Sequence, residues 1–153
     1  MALIEMNNGM AADVDDEDFL LVHGYHWTAL RHRHTWYAVT RIDGRTIRMH
    51  RLILGLTDSR VQGEHEDGNG LNNRRSNLRP ATNSQNQANV HVVRSNSGFK
   101  GVSRGHDQFR SKPYLAKVGR VHVGWFPTAI EAAHAYNRKA LELHGSYANL
   151  NPI

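Results

Sequence analysis

The chain has 153 residues, 39% of them hydrophobic, with a formal charge of +5 and a pI near 9.9. This basic balance favours a polyanionic partner, either nucleic acid or a membrane surface. The absence of cysteine excludes disulfides and cysteine-ligated zinc. The N-terminus lacks the pattern of a signal peptide, and no window approaches the roughly 20 apolar residues of a membrane span. We therefore expect a soluble, cytoplasmic protein with no membrane partner.

The first part of the chain predicts a small β-rich segment. Residues 27–30 and 36–40 have the aromatic and β-branched composition of strands, and the basic run 31–34 between them predicts a tip. Within that run, His32 and His34 would share one strand face, as a pair of metal ligands needs. A plain basic surface is the alternative that we favour, because no third ligand is in sight.

A hairpin and a short helix are predicted next. Residues 42–47 hold an Asp-Gly pair between β-branched side chains, which is typical of a two-residue hairpin. Residues 48–56 predict a helix that ends near Gly55. His50 is either a histidine packed at the start of this helix or, beside Arg51, part of a phosphate contact, and the sequence leaves both interpretations open.

The acidic run 15–18 also has two interpretations. Its carboxylates could form a metal site. They could equally form the first turn of a helix, where the helix dipole favours negative charge. We favour the helix start, since acidic runs of this kind are usually solvated.

Residues 63–89 form the stretch around which the chain is organised. A carboxylate and an imidazole stand side by side as Glu64-His65, and asparagines follow 12 and 21 positions later, at Asn77 and Asn86. A turn rich in glycine and asparagine separates a predicted strand from a second short strand. A Thr-Asn-Ser-Gln capping box then predicts a helix that carries Asn86.

These residue types suit the hydrolysis of a phosphodiester. A histidine with a pKa near its ordinary value of about 6.5 can take a proton from water at neutral pH, so His65 is the candidate base. Carboxylate and amide oxygens are ligands that magnesium or manganese accept. Neighbouring side chains on a strand point to opposite faces, so Glu64 and His65 need a bulge or twist to flank one phosphate.

The stretch resembles the HNH nucleases, the phage- and intron-type branch of the ββα-metal superfamily. The resemblance lies in Glu-His, Gly-Asn-Gly-Leu, Asn-Asn-Arg, Ser-Asn-Leu-Arg and the Asn/Gln-rich helix. It implies that His65 is the catalytic base and that Asn77 braces the loop that orients it. It also implies that Glu64, in place of the usual Asp, and Asn86, in place of the last histidine, bind Mg²⁺ or Mn²⁺. The side chains expected to hold the DNA backbone are Arg51, Arg74, Arg75 and Arg79.

A second module follows a polar linker near residue 96. Residues 99–104, 114–118 and 121–126 predict three antiparallel strands, and a capping box at Pro127-Thr128 opens a helix through about residue 143. One helix face is expected to carry the apolar residues at helical spacing, namely Ile130, Ala133, Tyr136, Ala140 and Leu143. The small alanines would let this helix lie close to the sheet.

Residues 97–151 resemble the Apetala/ethylene-response-factor-type DNA-binding domain. The matching segments are Gly-Phe-Lys-Gly-Val, Tyr-Leu-Ala-Lys-Val, Val-Gly-Trp-Phe, the Glu-Ala-Ala-His-Ala-Tyr helix and Ala-Asn-Leu-Asn. The resemblance implies a sheet that enters the major groove of double-stranded DNA with the helix behind it. The residues that it offers as DNA contacts are Lys100, Arg104, Lys117, Arg120 and Trp125. Arginine can bind guanine edges bidentately, whereas lysine is as suited to phosphate.

Together these patterns predict an α+β protein with two modules. A nuclease of residues 1–92, with a β-rich lead-in and a ββα-metal motif, precedes a DNA-binding domain of residues 96–153. The expected function is a metal-dependent endonuclease of the homing type that cuts or nicks DNA, encoded by a phage or mobile element, as a monomer or homodimer. A non-catalytic DNA-binding regulator with a decayed metal site and an RNA-binding module are the alternatives.

Overall fold

The computed structural model describes residues 1–91, 93, 95–106 and 111–153. Within these residues the chain divides into two compact units, Met1–Asn86 and Gln87–Ile153. Both units combine helices with small antiparallel sheets, so the fold class is α+β. The polar linker predicted near residue 96 falls inside the second unit, and Val92 and Arg94 lie outside the described residues.

The first unit contains three small sheets. In chain order its elements are β1 (Ala2–Glu5), β2 (Ala11–Val14), α1 (Asp16–Val22), β3 (Thr28–His32), β4 (Thr35–Ile42), β5 (Arg45–Arg48), α2 (Met49–Ile53), β6 (Gln62–His65), β7 (Leu78–Ala81) and α3 (Asn83–Ala88), whose last two residues belong to the second unit. Strand β1 pairs with β2, β4 lies between β3 and β5, and β6 pairs with β7. Each of these pairings is antiparallel, as expected for strands joined by short connections.

Local turn chemistry sets several of these connections. Asp43 and Gly44 join β4 to β5 with φ angles of +49° and +75°, the left-handed geometry that an Asp-Gly hairpin favours. Gly55, with φ of +63°, follows the end of α2 and stops that helix. The predicted hairpin and helix end are therefore confirmed.

The backbone bears on two interpretations of the N-terminal half: the role of the acidic run 15–18 and the placement of His32 and His34. The acidic run begins α1, with Asp16, Glu17 and Asp18 in its first turn, so the helix start is confirmed. His32 ends β3, whereas His34 lies in the turn that follows. The expectation that these two imidazoles share a strand face is wrong, because the chain reverses between them.

The core of the first unit anchors the hairpin that holds the central motif. Trp27, Met49 and Val22 are buried, and the indole N–H of Trp27 donates to the carbonyl of Val22 at 2.8 Å. Leu78 of β7 belongs to the same apolar cluster. Burial of such side chains contributes about 1.5–3 kcal/mol each, so β7 is fixed by the core and in turn fixes β6.

The second unit is a sheet with one long helix packed against it. Its elements are β8 (Val102–Arg104), β9 (Tyr114–Val118), β10 (Val121–Phe126) and α4 (Ala129–His144). The strand order is β10-β9-β8, and both pairings are antiparallel. The predicted three strands and helix are confirmed.

Helix α4 begins and ends at the signals in the sequence. The hydroxyl of Thr128 accepts the backbone N–H of Glu131 at 3.2 Å, and Gly145, with φ of +55°, follows the last residue. In the described part of the chain, no helix combines the length and the apolar character that crossing a membrane requires.

The buried face of α4 differs from the predicted one. Small residues and one ring form it: Ala132, Ala133, Ala135, Tyr136 and Ala140. Ile130 and Leu143 are instead 55% and 43% exposed, so their assignment to this face is wrong. Ala132 and Ala135 move the centre of the buried stripe away from Ile130, and Leu143 lies in the last turn of the helix.

Candidate active site and nucleic-acid interface

The β6–β7 hairpin and α3 carry the four side chains expected in the active site. Glu64 and His65 end β6, and Glu64 lies directly across from Arg79 of β7. Asn77 immediately precedes β7, and Asn86 lies in α3. Two antiparallel strands followed by a short helix therefore hold these residues in one continuous segment.

A hydrogen bond to Asn73 fixes the imidazole of His65. His65 is 5% exposed, and its Nε2 lies 3.2 Å from Oδ1 of Asn73. The Asn73 amide Nδ2 donates to the carbonyl of Leu71 at 3.1 Å, so its oxygen must face the imidazole and can only accept. In the neutral ring Nε2 therefore carries the proton, and the lone pair lies on Nδ1.

Aromatic rings surround this imidazole and keep it neutral. The ring of His50 meets that of His65 edge-on at 4.7 Å, and Tyr37 lies 5.7 Å from both. Burial lowers the pKa of His65 from its usual value, although the bond to Asn73 opposes this shift. Burial also lowers the pKa of His50 well below its usual value, helped by the neighbouring His65. Both rings are thus neutral near pH 7.

Two glycines permit this close packing. A Cβ on Gly63 would lie 2.4 Å from Cδ2 of His50, far inside contact distance. A Cβ on Gly70 would lie 2.3 Å from the carbonyl oxygen of Trp36 and 2.8 Å from the Tyr37 ring. The histidine pair and the loop between β6 and β7 can approach their neighbours only because these two side chains are absent.

Asn77 closes the loop between the two strands. Its Nδ2 donates to Oδ1 of Asp67 at 3.0 Å and to the carbonyl of Asn72 at 2.8 Å. Its Oδ1 accepts the backbone N–H of Asp67 at 3.0 Å. Because an amide both donates and accepts, this buried side chain joins the two ends of the loop. Its catalytic importance stays a prediction.

A buried ion pair occupies the position of the predicted metal ligand. Glu64 is 2% exposed, and its Oε2 lies 3.0 Å from Nε of Arg79. Nη1 of the same arginine lies 3.7 Å from Glu66. The register of β6 and β7 is regular from Gln62 to His65, so the bulge that we considered is not present there. Alternation along the strand sends Glu64 and His65 to opposite faces.

Asn86 is positioned by the capping box of α3. The backbone N–H of Thr82 donates to Oε1 of Gln85 at 2.8 Å, and Thr82 Oγ1 accepts the N–H of Gln85 at 3.2 Å. The predicted capping box is confirmed. Asn86 follows in the first turn and is half-buried. Metal binding by its amide oxygen stays a prediction.

Arg51 is engaged with the backbone. Its guanidinium donates to the carbonyls of Val61 at 2.7 Å, Leu56 at 3.1 Å and Asp58 at 2.9 Å. These bonds tie the loop after α2 to the helix. A DNA contact by Arg51 stays a prediction, and it would have to compete with these three carbonyls.

Arg75 holds the acidic start of α1. Its Nη2 donates to Asp18 at 2.7 Å, its backbone N–H donates to Asp15 at 2.8 Å, and its Nε lies 3.7 Å from Glu17. The carboxylate oxygens of these three acids lie within 4.8 Å of one another, and the arginine supplies their countercharge. The adjacent Arg74 pairs more loosely with Asp13, at 3.8 Å. The DNA contacts predicted for both arginines remain predictions.

In the second unit, two of the predicted DNA contacts share the outer face of the sheet. Trp125 pairs with Leu115 across the strands, and the exposed Lys117 lies two residues further along β9. The Trp125 ring covers Gly105, where an added Cβ would lie 3.0 Å from Cζ3. Arg104 precedes Gly105, so alternation directs its exposed side chain to the opposite face.

Lys100 and Arg120 lie outside the strands. Arg120 is exposed in the turn between β9 and β10. Lys100 donates from Nζ to the carbonyl of Ala88, and burial lowers its pKa to about 8. Its backbone N–H also donates to Oδ1 of Asn151 at 2.6 Å. Lys100 therefore packs within the second unit, and its predicted DNA contact remains a prediction.

Sequence reasoning missed Asn73 and Tyr37 and left His50 undecided. Asn73 is the second asparagine of the Asn-Asn-Arg segment, so the motif pointed to it without indicating what it bonds. Tyr37 carried only the signal of a strand. His50 is 2% exposed and its ring packs against that of His65, so the interpretation of His50 as a packed histidine is confirmed.

One comparison with known proteins identifies a relative. The chain is 31% identical over 157 aligned positions to a protein named as an uncharacterized HNH endonuclease of Acanthamoeba polyphaga mimivirus. The alignment covers 99% of this chain and 80% of the mimivirus protein. No protein-family model matches the chain, and no solved structure matches it significantly.

Proposed function

The chain belongs to the HNH endonuclease family, and on that premise we propose that it hydrolyses phosphodiester bonds of double-stranded DNA with His65 as the general base. One observation carries the proposal: buried Asn73 accepts the Nε2 proton of His65 at 3.2 Å. That bond leaves the basic lone pair on Nδ1 and holds the ring in one orientation. A base must be both neutral and oriented, and His65 has both properties.

The proposed reaction is an in-line displacement at phosphorus. Nδ1 of His65 accepts a proton from water as the water oxygen bonds to phosphorus. The bond from phosphorus to the 3′ oxygen breaks, and that oxygen takes up a proton, which leaves 5′-phosphate and 3′-hydroxyl ends. Asn73 orients the imidazole, and Asn77 keeps the loop between β6 and β7 in place.

Glu64 leaves β6 on the face opposite His65, so only a twist at the end of the strand would bring both to one phosphate; the proposed cofactor is a hard divalent cation, Mg²⁺ or Mn²⁺. The carboxylate of Glu64 and the amide oxygen of Asn86 would hold it, since such ions prefer oxygen ligands. When bound, the ion supplies positive charge to the phosphate and to the leaving oxygen. Arg79 contacts the same carboxylate at 3.0 Å, so the guanidinium would compete with the ion for Glu64.

A plasmid nicking assay tests this proposal. The wild-type chain should convert supercoiled plasmid to nicked or linear product with Mg²⁺ or Mn²⁺ and should lose that activity in EDTA. His65→Asn should lower the rate by a factor on the order of 10²–10⁴, the usual contribution of a general base. His26→Asn, at an exposed histidine of the same unit, is the matched control. Equal rates for His65→Asn and wild type would remove His65 as the base.

We also propose that the second unit binds the duplex through the outer face of its sheet. Lys117 and Trp125 share that face, and Arg120 is exposed at the adjacent turn. Such a contact would supply sequence preference to an active site that touches mainly phosphate. Lys117→Ala should weaken duplex binding and reduce its salt dependence by about one unit of slope, whereas Lys139→Ala on α4 should leave both unchanged. Competition with duplex RNA tests the choice of DNA.

The Glu64–Arg79 pair favours one alternative. A guanidinium that neutralises the buried carboxylate would also suit a DNA-binding protein that has lost its metal. That protein would bind duplex DNA without nicking plasmid under any divalent ion. A homing-type role in a phage or mobile element is part of our proposal and requires cleavage at one defined site, which mapping of the cut ends would show.

A further inference from the structure

The tip of the β3–β4 hairpin is an exposed basic surface. Arg31, His32, Arg33 and His34 are all exposed. Arg31 lies over the ring of Trp36, 5.9 Å from its centre. Among the described residues, neither Arg31 nor Arg33 forms an ion pair. Arg51, Arg75 and Arg79 of the same unit, in contrast, bond to carboxylates or carbonyls of the protein. The tip therefore presents uncompensated positive charge to solvent.

This hairpin is attached to the loop that holds His65. The hydroxyl of Thr35 accepts the backbone N–H of Gly70 at 2.9 Å. Gly70 also lies so close to Trp36 and Tyr37 that no Cβ would fit there. The Tyr37 ring lies 5.7 Å from the His65 ring and 6.2 Å from the His32 ring. The basic tip is thus fixed in position relative to the imidazole.

Arg33 stands at a backbone position that does not favour it. Its φ is +56°, in the left-handed region that glycine, asparagine and aspartate occupy most readily. At the other end of the same sheet, the β4–β5 turn uses Asp43 and Gly44 at such positions, as local preferences predict. Residues in such sparsely populated conformations are concentrated at functional sites, which motivates a role for the Arg33 side chain.

The tip is only a short length of chain from the Tyr37 ring that lies beside His65. Arg33 lies four residues before Tyr37, which is roughly 10–13 Å of chain at about 3.3 Å per residue. DNA rises about 3.4 Å per nucleotide along one strand. If the duplex runs along β4, phosphates roughly three to four nucleotides from one bound at His65 would lie beside the tip.

We propose that the tip of the β3–β4 hairpin, with Arg31 and Arg33, binds the phosphate backbone of the DNA flanking the cleaved bond. This inference rests on the proposed function for the position of the cleaved phosphate. It assigns a DNA contact to the nuclease unit, separate from the sheet of the second unit. The contact is electrostatic, so it contributes to affinity for any sequence and weakens with salt.

The variant Arg33→Gly removes the arginine side chain without adding backbone strain, so it tests the contribution of the side chain to DNA binding. The full-length variant should be as thermally stable as wild type or more so, because glycine accepts the positive φ. It should nevertheless bind a duplex about eightfold more weakly at 0.1 M salt, with a slope of log K against log salt reduced by about 0.9, as expected for one lost phosphate contact. Fluorescence anisotropy in EDTA measures binding without cleavage.

Asp43→Gly is the matched control, because it also places glycine at a turn position of positive φ, at the opposite end of the sheet. It should leave the salt slope unchanged. Arg31→Gln, in a strand position without positive φ, should reduce the slope as Arg33→Gly does. Unchanged affinity and slope in both Arg33→Gly and Arg31→Gln would overturn the inference. Failure of the wild type to nick plasmid would instead count against the proposed function, since the binding measurement does not depend on cleavage.

Discussion

Nε2 of His65 and Oδ1 of Asn73 lie 3.2 Å apart, and both side chains are buried. His65 is the last residue of β6, and Asn73 lies eight residues later in the loop between β6 and β7. Asn73 is held in turn by its bonds to Leu71 and, through its backbone N–H, to the carbonyl of Asp13 at 2.8 Å. The orientation of the imidazole thus depends on packing between the motif and β2, as well as on the motif itself.

Asn73→Asp should change the pH profile of cleavage. A carboxylate beside His65 would stabilise the protonated ring and raise its pKa by about 1–3 units. The acidic limb of the rate profile should therefore move to higher pH, so that activity falls on the acidic side and recovers as the pH rises. Nicking rates from pH 5.5 to 9 would measure the shift. If the acidic limb keeps its midpoint in the variant, this hydrogen bond does not tune the base.

Because His50 and His65 are buried, we expect the free energy of unfolding to decrease in acid. Burial lowers the pKa of His50 and of His65, so the folded state binds fewer protons than the unfolded state below pH 6.5. Stability should therefore fall as the pH drops through 6.5, by up to about 1.4 kcal/mol per pH unit for each ring. Urea unfolding at pH 7.5 and 5.5 tests this. His50→Gln should flatten the dependence, while a matched change at exposed His26 should not.

Arg79→Gln should make the protein dependent on added metal for stability. The variant leaves the buried carboxylate of Glu64 without its guanidinium, which typically costs about 3–5 kcal/mol. A cation at Glu64 would replace the missing charge, so Mn²⁺ should raise the melting temperature of the variant more than that of wild type. Arg60→Gln removes a surface pair with Asp58 and should change little. Equal Mn²⁺ effects in Arg79→Gln and wild type would argue against metal binding at Glu64.

Gly63→Ala should disturb the histidine pair. The new methyl group would meet Cδ2 of His50 at 2.4 Å, so the ring must move, at a cost of about 1–3 kcal/mol. Because His50 packs against His65, cleavage should fall along with stability. Gly24→Ala, with open space around its Cβ, should cost neither. Thermal unfolding and nicking of both variants give the comparison.

Local signals in the sequence predicted the elements that carry the motif. The Asp43-Gly44 hairpin, the end of α2 at Gly55, the capping box at Thr82 and the hydroxyl cap at Thr128 all formed as expected. Each depends on the φ preferences or the hydrogen-bonding groups of residues within about four positions. The face of α4 was predicted less well, because regular spacing does not show which side of the helix meets the sheet.

The sequence by itself determined the β-strands, turns and caps of this protein and the order of its motif residues. Tertiary structure alone decided that His65 bonds to Asn73, that Glu64 pairs with Arg79, and that His50 packs where Gly63 has no side chain. Backbone preferences act between neighbours in the chain, and the sequence states those neighbours directly. A buried polar group bonds to the distant segment that packs beside it in the core. Only the tertiary structure shows which segment that is.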